Sequence, residues 1–127
     1  MNAAAIRVGE SAIAGRGVFA TREFAAGEIV EECNVLLVSA DHRDHLDKTE
    51  LFEYYFDWEG DAAVALGLGS LYNHSGEPSA RFEKRIAEAM VAIRALRPII
   101  DGEEITVDYG AAVVITPSAN GGTPPLE

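Results

Sequence analysis

The 127-residue sequence contains a single cysteine, Cys33. One cysteine excludes a disulfide within the chain and a cysteine-rich zinc site. It is also typical of a reducing compartment, so we expect a cytoplasmic protein, or a nuclear one if the source is a eukaryote or its virus. The three histidines show no metal-ligand spacing, and we expect no metal site.

Positive charge is scarce as well, with 10 basic residues against 21 acidic ones and a net charge of −11. Because phosphate contacts need clustered lysine and arginine, we expect no direct binding of nucleic acid. An acidic chain would instead attract a basic partner. No apolar run approaches the ~20 residues of a membrane helix, and no apolar run follows a basic start, so neither a membrane span nor a signal peptide is expected.

What the sequence does contain is a series of short apolar segments separated by turns. Gly15-Arg16-Gly17 and the stretch 24–28, where Gly27 can take a positive φ, are predicted turns. The predicted strands are Ile6 to Val8, Val18 to Thr21, Ile29 to Val30, the buried-type run Val35 to Val38, and Ile105 to Val107. We expect one domain over 1–115 and a flexible C-terminal tail over 116–127.

The middle of the chain differs in character. The segment from Asp41 to Asp61 contains eight acidic residues, and it is predicted to be an insertion of part helix and part loop. The weak helical spacing is carried by Leu46, Leu51, Phe52 and Tyr55. Between Ala62 and Leu71, alternating glycines at Gly67 and Gly69 indicate a backbone that another group approaches closely.

Four segments contain residues that could take part in catalysis or ligand binding. Each has an ordinary structural explanation when it is taken alone. Gly15-Arg16-Gly17 can be a tight turn, and Asn73 and His74 can anchor a turn through backbone bonds. Tyr109, which ends a strand before a glycine, can be a core aromatic with a paired hydroxyl. Tyr54-Tyr55-Phe56 can be core aromatics too.

Taken together and in this order, the segments resemble the SET-domain family of protein lysine methyltransferases. The matching segments are Gly15-Arg16-Gly17, Tyr54-Tyr55-Phe56, Asn73-His74-Ser75 with Pro78 downstream, and Glu104 to Tyr109. The run from Ala65 to Gly69 is similar to that of the minimal viral SET histone methyltransferase. The resemblance covers roughly Ile6 to Gly110.

The resemblance implies a mainly β fold of the β-clip type, with short curved sheets, a small helical insertion and a knot-like C-terminal threading. It further implies an S-adenosylmethionine-dependent enzyme that methylates lysine side chains of a basic, histone-like protein. The implied cofactor-binding residues are Ala14, Gly15, Arg16, Gly17, Asn73 and His74. The implied catalytic residues are Tyr109 and Tyr54, and the substrate channel would be lined by Tyr54, Phe56, Leu68, Val107 and Tyr109.

The sequence departs from the family pattern in three places. Gly76 and Ser79 replace a cysteine and an asparagine of the Asn-His-Ser motif. The cysteine-rich segment that follows many SET domains is absent, so we expect residues Ala111 to Ile115, or a second subunit in a homodimer, to complete the channel wall. Val107 stands where the family often places a larger aromatic residue, and this predicts room for more than one methyl group.

Two alternatives stay open. A non-catalytic β-clip binding module would share the apolar-x-Gly-Glu turns but would not need Tyr109 beside Asn73. A degenerate SET domain could serve as an interaction scaffold, although the retention of Gly15, Gly17 and His74 favours an enzyme. Binding of S-adenosylmethionine without methyl transfer would indicate the scaffold.

Overall fold

The computed structural model describes residues 5–115, so the expected tail over 116–127 lies outside the described residues. The strands are β1 Ile6–Glu10, β2 Arg16–Ala20, β3 Ile29–Val38, β4 Tyr55–Trp58, β5 Asp61–Ala65, β6 Asn73–His74, β7 Ala80–Arg85, β8 Met90–Ala95, β9 Glu104–Val107 and β10 Val113–Ile115. One α-helix, α1 Arg43–Leu46, follows a 3-10 turn at Ala40–His42, and a second 3-10 turn spans Ile86–Glu88. The mainly β prediction is confirmed. Among residues 5–115, no helix is long and apolar enough to cross a membrane.

The strands form two sheets. A four-stranded sheet has the order β1-β2-β9-β6, and a six-stranded sheet has the order β10-β7-β8-β3-β5-β4. Apolar side chains from both sheets form one core, which includes Val18 and Ile105 from the smaller sheet and Val91 and Ile93 from the larger one. The core therefore fixes the two sheets against each other and gives the loops at their ends defined positions.

The predicted turn over 24–28 is confirmed, whereas Arg16 and Gly17 of the other predicted turn belong to β2 and only Gly15 lies in the bend before it. Gly27 has a φ of 88°, a left-handed conformation that favours glycine, and the turn that contains it joins β2 to β3. The 3-10 turn and α1 confirm a partly helical insertion between β3 and β4.

The smaller sheet brings together segments that are far apart in the sequence. Strand β6 pairs in parallel with β9, with Asn73 opposite Thr106 and His74 opposite Val107. The pairing continues beyond β6, because the Thr106 N–H donates to Ser79 Oγ at 3.1 Å and the Ser79 N–H donates to Thr106 Oγ1 at 3.2 Å. The Asn-His-Ser segment therefore lies alongside the strand that leads to Tyr109. The knot-like threading stays a prediction.

Two local predictions were wrong. The run Val35 to Val38 is buried only in part: Val35 belongs to the core, but Leu36 is 58% and Leu37 50% exposed. Strand β3 pairs with β8 only as far as Asn34. From Val35 onwards it pairs only with β5, so one edge of this part of β3 is uncovered.

The second wrong prediction was that helical spacing extends from Leu46 to Tyr55, because α1 ends at Leu46. The Thr49 hydroxyl donates to the Leu46 carbonyl at 2.6 Å, and a series of tight turns follows it as far as Tyr54. A side chain that bonds the last helical carbonyls competes with helix continuation. Tyr55 then begins β4 instead of completing a helical stripe.

Candidate functional site

Asn73 connects three segments of the chain at the start of β6. Its side-chain nitrogen donates to the carbonyl oxygens of Ala14 at 3.1 Å and Arg16 at 3.0 Å. The same nitrogen lies 3.1 Å from Ser11 Oγ and 2.8 Å from Glu104 Oε2. Four acceptors surround a group with two hydrogens, so the amide is saturated on its donor side. Asn73 therefore holds the loop before β2 against β9.

Gly17 permits this close approach. A Cβ at this position would lie 3.0 Å from the side-chain nitrogen of Asn73 and closer still to the Glu104 carboxylate. The Ser11 hydroxyl donates to Glu104 Oε1 at 2.8 Å and accepts from the Ile13 N–H at 2.9 Å, which fixes the other side of the loop. Gly17 is thus a closely packed part of the site, whereas a Cβ at Gly15 would meet no atom within 4 Å.

Tyr109 is oriented at both ends by the segment around β6. Its backbone N–H donates to His74 Nδ1 at 3.1 Å, and its hydroxyl donates to the Tyr72 carbonyl at 2.7 Å. The rings of His74 and Tyr109 lie 5.3 Å apart between centroids. The Gly15 turn, the Asn73 segment and the Tyr109 segment therefore lie together.

A cavity of about 360 Å³ adjoins the Tyr109 ring. Six of its nine lining residues are aromatic, and the full lining is Glu53, Tyr54, Tyr55, Phe56, Gly69, Ser70, Tyr72, Phe82 and Tyr109. The rings of Phe56 and Phe82 meet edge to face at 4.7 Å, and those of Tyr72 and Phe82 at 6.2 Å. Such packing makes a stiff apolar wall, suited to an aliphatic stem with a polar end.

The surroundings of Tyr109 and Tyr72 favour the neutral form of these two phenols. Burial, followed by the nearby Tyr54, raises the pKa of Tyr109, while the backbone of His74 acts in the opposite direction. Burial, together with the Glu31 carboxylate, raises the pKa of Tyr72 well above its ordinary value. A phenol with a raised pKa is a poor general base at neutral pH, so Tyr109 acts as a hydrogen-bonding group that retains its proton.

The structure brings together some of the expected channel residues and not others. Tyr54, Phe56 and Tyr109 line the cavity. Leu68 and Val107 are not among the lining residues: Leu68 packs against the core and Val107 is fully buried within it. The expected number of methyl groups, which was argued from Val107, stays a prediction.

The expected wall from Ala111 to Ile115 is also not part of this cavity, because β10 pairs in parallel with β7 at Glu83 to Arg85. A second subunit as the missing wall stays a prediction. Sequence reasoning missed Tyr72 and Phe82 as lining residues. Tyr72 precedes the Asn-His-Ser motif directly, and this adjacency was the available signal, whereas Phe82 lies on a strand that was not predicted.

The described part of the chain contains no group of three or more histidine, cysteine, aspartate or glutamate side chains that could hold a metal ion. A family model described as the SET domain matches residues 15–110. The chain belongs to the SET-domain family. The matched range includes the Gly15 turn, the cavity and Tyr109.

Several known proteins are similar to this SET domain. A Schizosaccharomyces pombe histone-lysine N-methyltransferase, H3 lysine-37 specific, is 37% identical over 98 residues, which cover 76% of this chain and 67% of the relative. Human histone-lysine N-methyltransferase 2B is 32% identical over 122 residues, but the match spans only 4% of that protein. This SET domain is a protein-lysine N-methyltransferase by family and by these relatives.

Solved structures agree with the fold. A candidate histone methyltransferase from Plasmodium falciparum superposes with a TM-score of 0.73 at 28% identity, covering 86% of this chain and 96% of the other. A chain of Polycomb Repressive Complex 2 from Chaetomium thermophilum gives a TM-score of 0.70 at 24% identity, covering 86% of this chain and 15% of its own length. The second likeness concerns the fold alone.

Proposed function

We propose that this SET domain transfers a methyl group from S-adenosylmethionine to the side-chain amine of a lysine in a basic, histone-like protein. The proposal rests on one observation: Asn73 ties the loop at Ala14–Arg16 to β9, and β9 leads to Tyr109 on the wall of an aromatic cavity. A methyl donor at the loop and a lysine in the cavity would meet beside Tyr109.

The residues around Asn73 fit the proposed cofactor. Within the described residues, the side-chain hydrogen bonds of Asn73 all use its nitrogen, so its side-chain oxygen is available to accept from an ammonium group. Arg16 is exposed and has no partner in the described part of the chain, so it can pair with a carboxylate. Ala14, Gly15, Gly17 and the backbone of His74 complete the proposed cofactor site.

The cavity suits a lysine side chain. Aromatic faces pack well against its aliphatic stem. The amine must lose a proton before it can attack, and the reference pKa of lysine is about 10.4. A bound peptide that covers the cavity would exclude water and lower that pKa, so the proton can leave to water without a strong protein base.

In this mechanism the chain orients the reactants. S-adenosylmethionine supplies a methyl group that its sulfonium charge activates. The Tyr109 hydroxyl donates to the Tyr72 carbonyl, which leaves its oxygen free to accept from the lysine amine and to direct the nitrogen lone pair. Tyr54 supplies a second hydroxyl on the cavity wall. Positioning of this kind can supply up to ~7–11 kcal/mol of the barrier reduction.

Charge supports a basic substrate. The net charge of −11 favours the approach of a lysine- and arginine-rich segment. Glu53 lines the cavity, is exposed, and forms no ion pair within residues 5–115. A carboxylate at this position can pair with a basic residue next to the target lysine. The Schizosaccharomyces pombe relative, named for a lysine of histone H3, supports a histone-like partner.

The test combines calorimetric titration with S-adenosylmethionine and radiolabelled methyl transfer to core histones, ribosomal proteins and bacterial nucleoid proteins. Tyr109→Phe removes the hydroxyl that orients the amine. We expect this variant to bind the cofactor normally and to lose roughly 10²-fold in kcat, a typical cost of misplaced reacting groups. Tyr55→Phe is the matched control, because the Tyr55 hydroxyl donates to Asp47 at 2.6 Å and not to the Tyr109 site. Its loss should be much smaller.

Two outcomes would contradict the proposal. Cofactor binding without transfer to any basic protein would indicate the non-catalytic scaffold. Full activity of Tyr109→Phe would remove the role that the geometry gives to this hydroxyl.

A further inference from the structure

We infer that Glu31, on β3 and outside the motifs of the family resemblance, is a positioning residue that holds the cavity wall against Tyr109. Glu31 would act through Tyr72 and would not touch either reactant. The inference rests on the proposed function, because it concerns the orientation of the same tyrosine hydroxyl.

One oxygen of Glu31 fixes the side chain of Tyr72. The Tyr72 hydroxyl donates to Glu31 Oε1 at 2.7 Å, and the Tyr72 residue is only 1% exposed. Leaving that buried hydroxyl without a partner would be costly, so the bond is a strong constraint on the ring. The Tyr72 ring also meets Phe82, another lining residue, edge to face.

The second oxygen fixes the backbone of the same segment. The Leu68 N–H donates to Glu31 Oε2 at 2.9 Å. Gly67 has a φ of 70°, and a Cβ there would lie 2.6 Å from Glu31 Oε2, so glycine is needed for this approach. Cys33, two residues further along β3, packs closely against Gly69. A Cβ added at Gly69 would lie 3.1 Å from the Cys33 Sγ. Strand β3 thus holds the segment 67–72 in place through contacts of Glu31 and Cys33.

The same segment, 67–72, contains the carbonyl that accepts a hydrogen bond from the Tyr109 hydroxyl. Gly69, Ser70 and Tyr72 line the cavity, and the Tyr72 carbonyl accepts the Tyr109 hydroxyl at 2.7 Å. If Tyr72 shifts, the direction of the Tyr109 lone pairs shifts with it, because the hydroxyl follows its acceptor. A single carboxylate on a core strand therefore determines where the Tyr109 oxygen points.

The experiment measures kcat and KM for core histones, together with the dissociation constant for S-adenosylmethionine, in a set of full-length variants. Glu31→Ala removes both contacts and should lower kcat roughly tenfold, while the cofactor dissociation constant stays within about twofold. Glu31→Gln can still accept from Leu68 and donate to the Tyr72 oxygen, so it should recover most of the lost rate. Tyr72→Phe should give a smaller loss than Glu31→Ala.

If Glu31 acts through Tyr72, the effects of the two substitutions on kcat should not be additive. The double variant Glu31→Ala with Tyr72→Phe should be no slower than Glu31→Ala alone, because both changes break the same connection. Glu32→Ala is the matched control: its carboxylate pairs with Arg85 at the surface, 2.8 Å away, and its kcat should not change. If Glu31→Ala fails to fold, Tyr72→Phe tests the connection, because it removes the same hydrogen bond and should lower kcat, while Glu31→Gln should not.

A second measurement does not depend on activity. The ionisation of the Tyr109 phenol can be followed by ultraviolet difference absorption against Tyr109→Phe. In Glu31→Ala the pKa of Tyr109 should move towards its ordinary value, since its environment opens when Tyr72 is released. An unchanged pKa of Tyr109, or losses in kcat that multiply in the double variant, would overturn the positioning role. A wild-type protein that transfers no methyl group would count against the proposed function alone.

Discussion

At the scale of single residues, the protonation state of Tyr109 separates an orienting hydroxyl from a general base. Burial raises its pKa, so the phenol stays protonated at neutral and moderately alkaline pH. The group that must lose a proton is then the substrate lysine, with a reference pKa of about 10.4. We expect kcat/KM to rise with pH through the neutral and mildly alkaline range, without a descending limb below the ordinary tyrosine pKa of about 10.

The control for this pH profile is Tyr109→Phe. The variant should be slower at every pH but should keep the same upward slope, because the slope belongs to the lysine. A flat profile in Tyr109→Phe would mean that the tyrosine itself supplies the titrating base, contrary to its raised pKa.

At the scale of strands, β7 and β8 are joined by a buried ionic cluster. Glu83 on β7 is 1% exposed, and it accepts from Arg81 Nη2 at 2.8 Å and from Arg94 Nε at 2.6 Å. Arg94 also donates to the Gly27 carbonyl at 2.7 Å, which connects the cluster to the turn before β3. The carboxylate therefore balances two cations where the two strands meet that turn.

Glu83→Gln should destabilise the fold strongly. It would remove the negative charge that Arg81 and Arg94 share, a change that typically costs about 3–5 kcal/mol when the pair is buried. Denaturant unfolding measures the difference. Glu88→Gln is the matched control, because its side chain is 64% exposed, and a surface change of this kind is expected to stay within ~0.5 kcal/mol.

The pH dependence gives a further check on Glu83. Burial would raise its pKa, but the hydrogen bonds from Arg94 and Arg81 outweigh burial and lower it. A lowered pKa means that the ionised carboxylate stabilises the fold above its ordinary pKa of about 4.3, and that this stability is lost as the pH falls through the folded-state value. The gap between wild type and Glu83→Gln should therefore narrow in acid, and a constant gap would contradict this assignment.

The elements also show which parts of the fold were predictable from the sequence. The turn at Gly27 and the strand from Ile105 to Val107 carry local signals, and the structure confirms them. Strand β7, with the sequence ARFEKR, has no apolar alternation, because Arg81 and Glu83 are buried as an ionic cluster instead of apolar side chains. Periodicity cannot reveal a strand of that kind.

The site was predictable only where a motif names its residue. Asn73 and Tyr109 were identified from the family pattern, whereas the cavity wall depends on the packing of Tyr72, just before β6, against Phe82 on β7. Glu31 was missed for the same reason, since its role arises from the approach of Gly67 to β3. Contacts between distant segments leave no local signal in a single sequence.

At the scale of the whole molecule, the charge balance should appear in the rate of substrate capture. With a net charge of −11, the domain attracts a basic peptide over a distance that dissolved salt shortens. Raising the ionic strength from ~0.01 M to ~0.3 M reduces the Debye length from about 30 Å to less than 8 Å. We expect kcat/KM for a lysine- and arginine-rich peptide to fall by roughly tenfold over this range.

Two comparisons separate general attraction from a specific contact in this salt series. A peptide with alanines around the same target lysine should show little salt dependence, because it lacks the charge on which the field acts. Glu53→Gln removes a carboxylate on the cavity wall, and Glu88→Gln removes one at the 3-10 turn between β7 and β8. Both variants change the net charge equally, so a larger rise in KM for Glu53→Gln would place the basic flank of the substrate at the cavity. Equal effects would mean that the overall field, and not Glu53, guides the peptide.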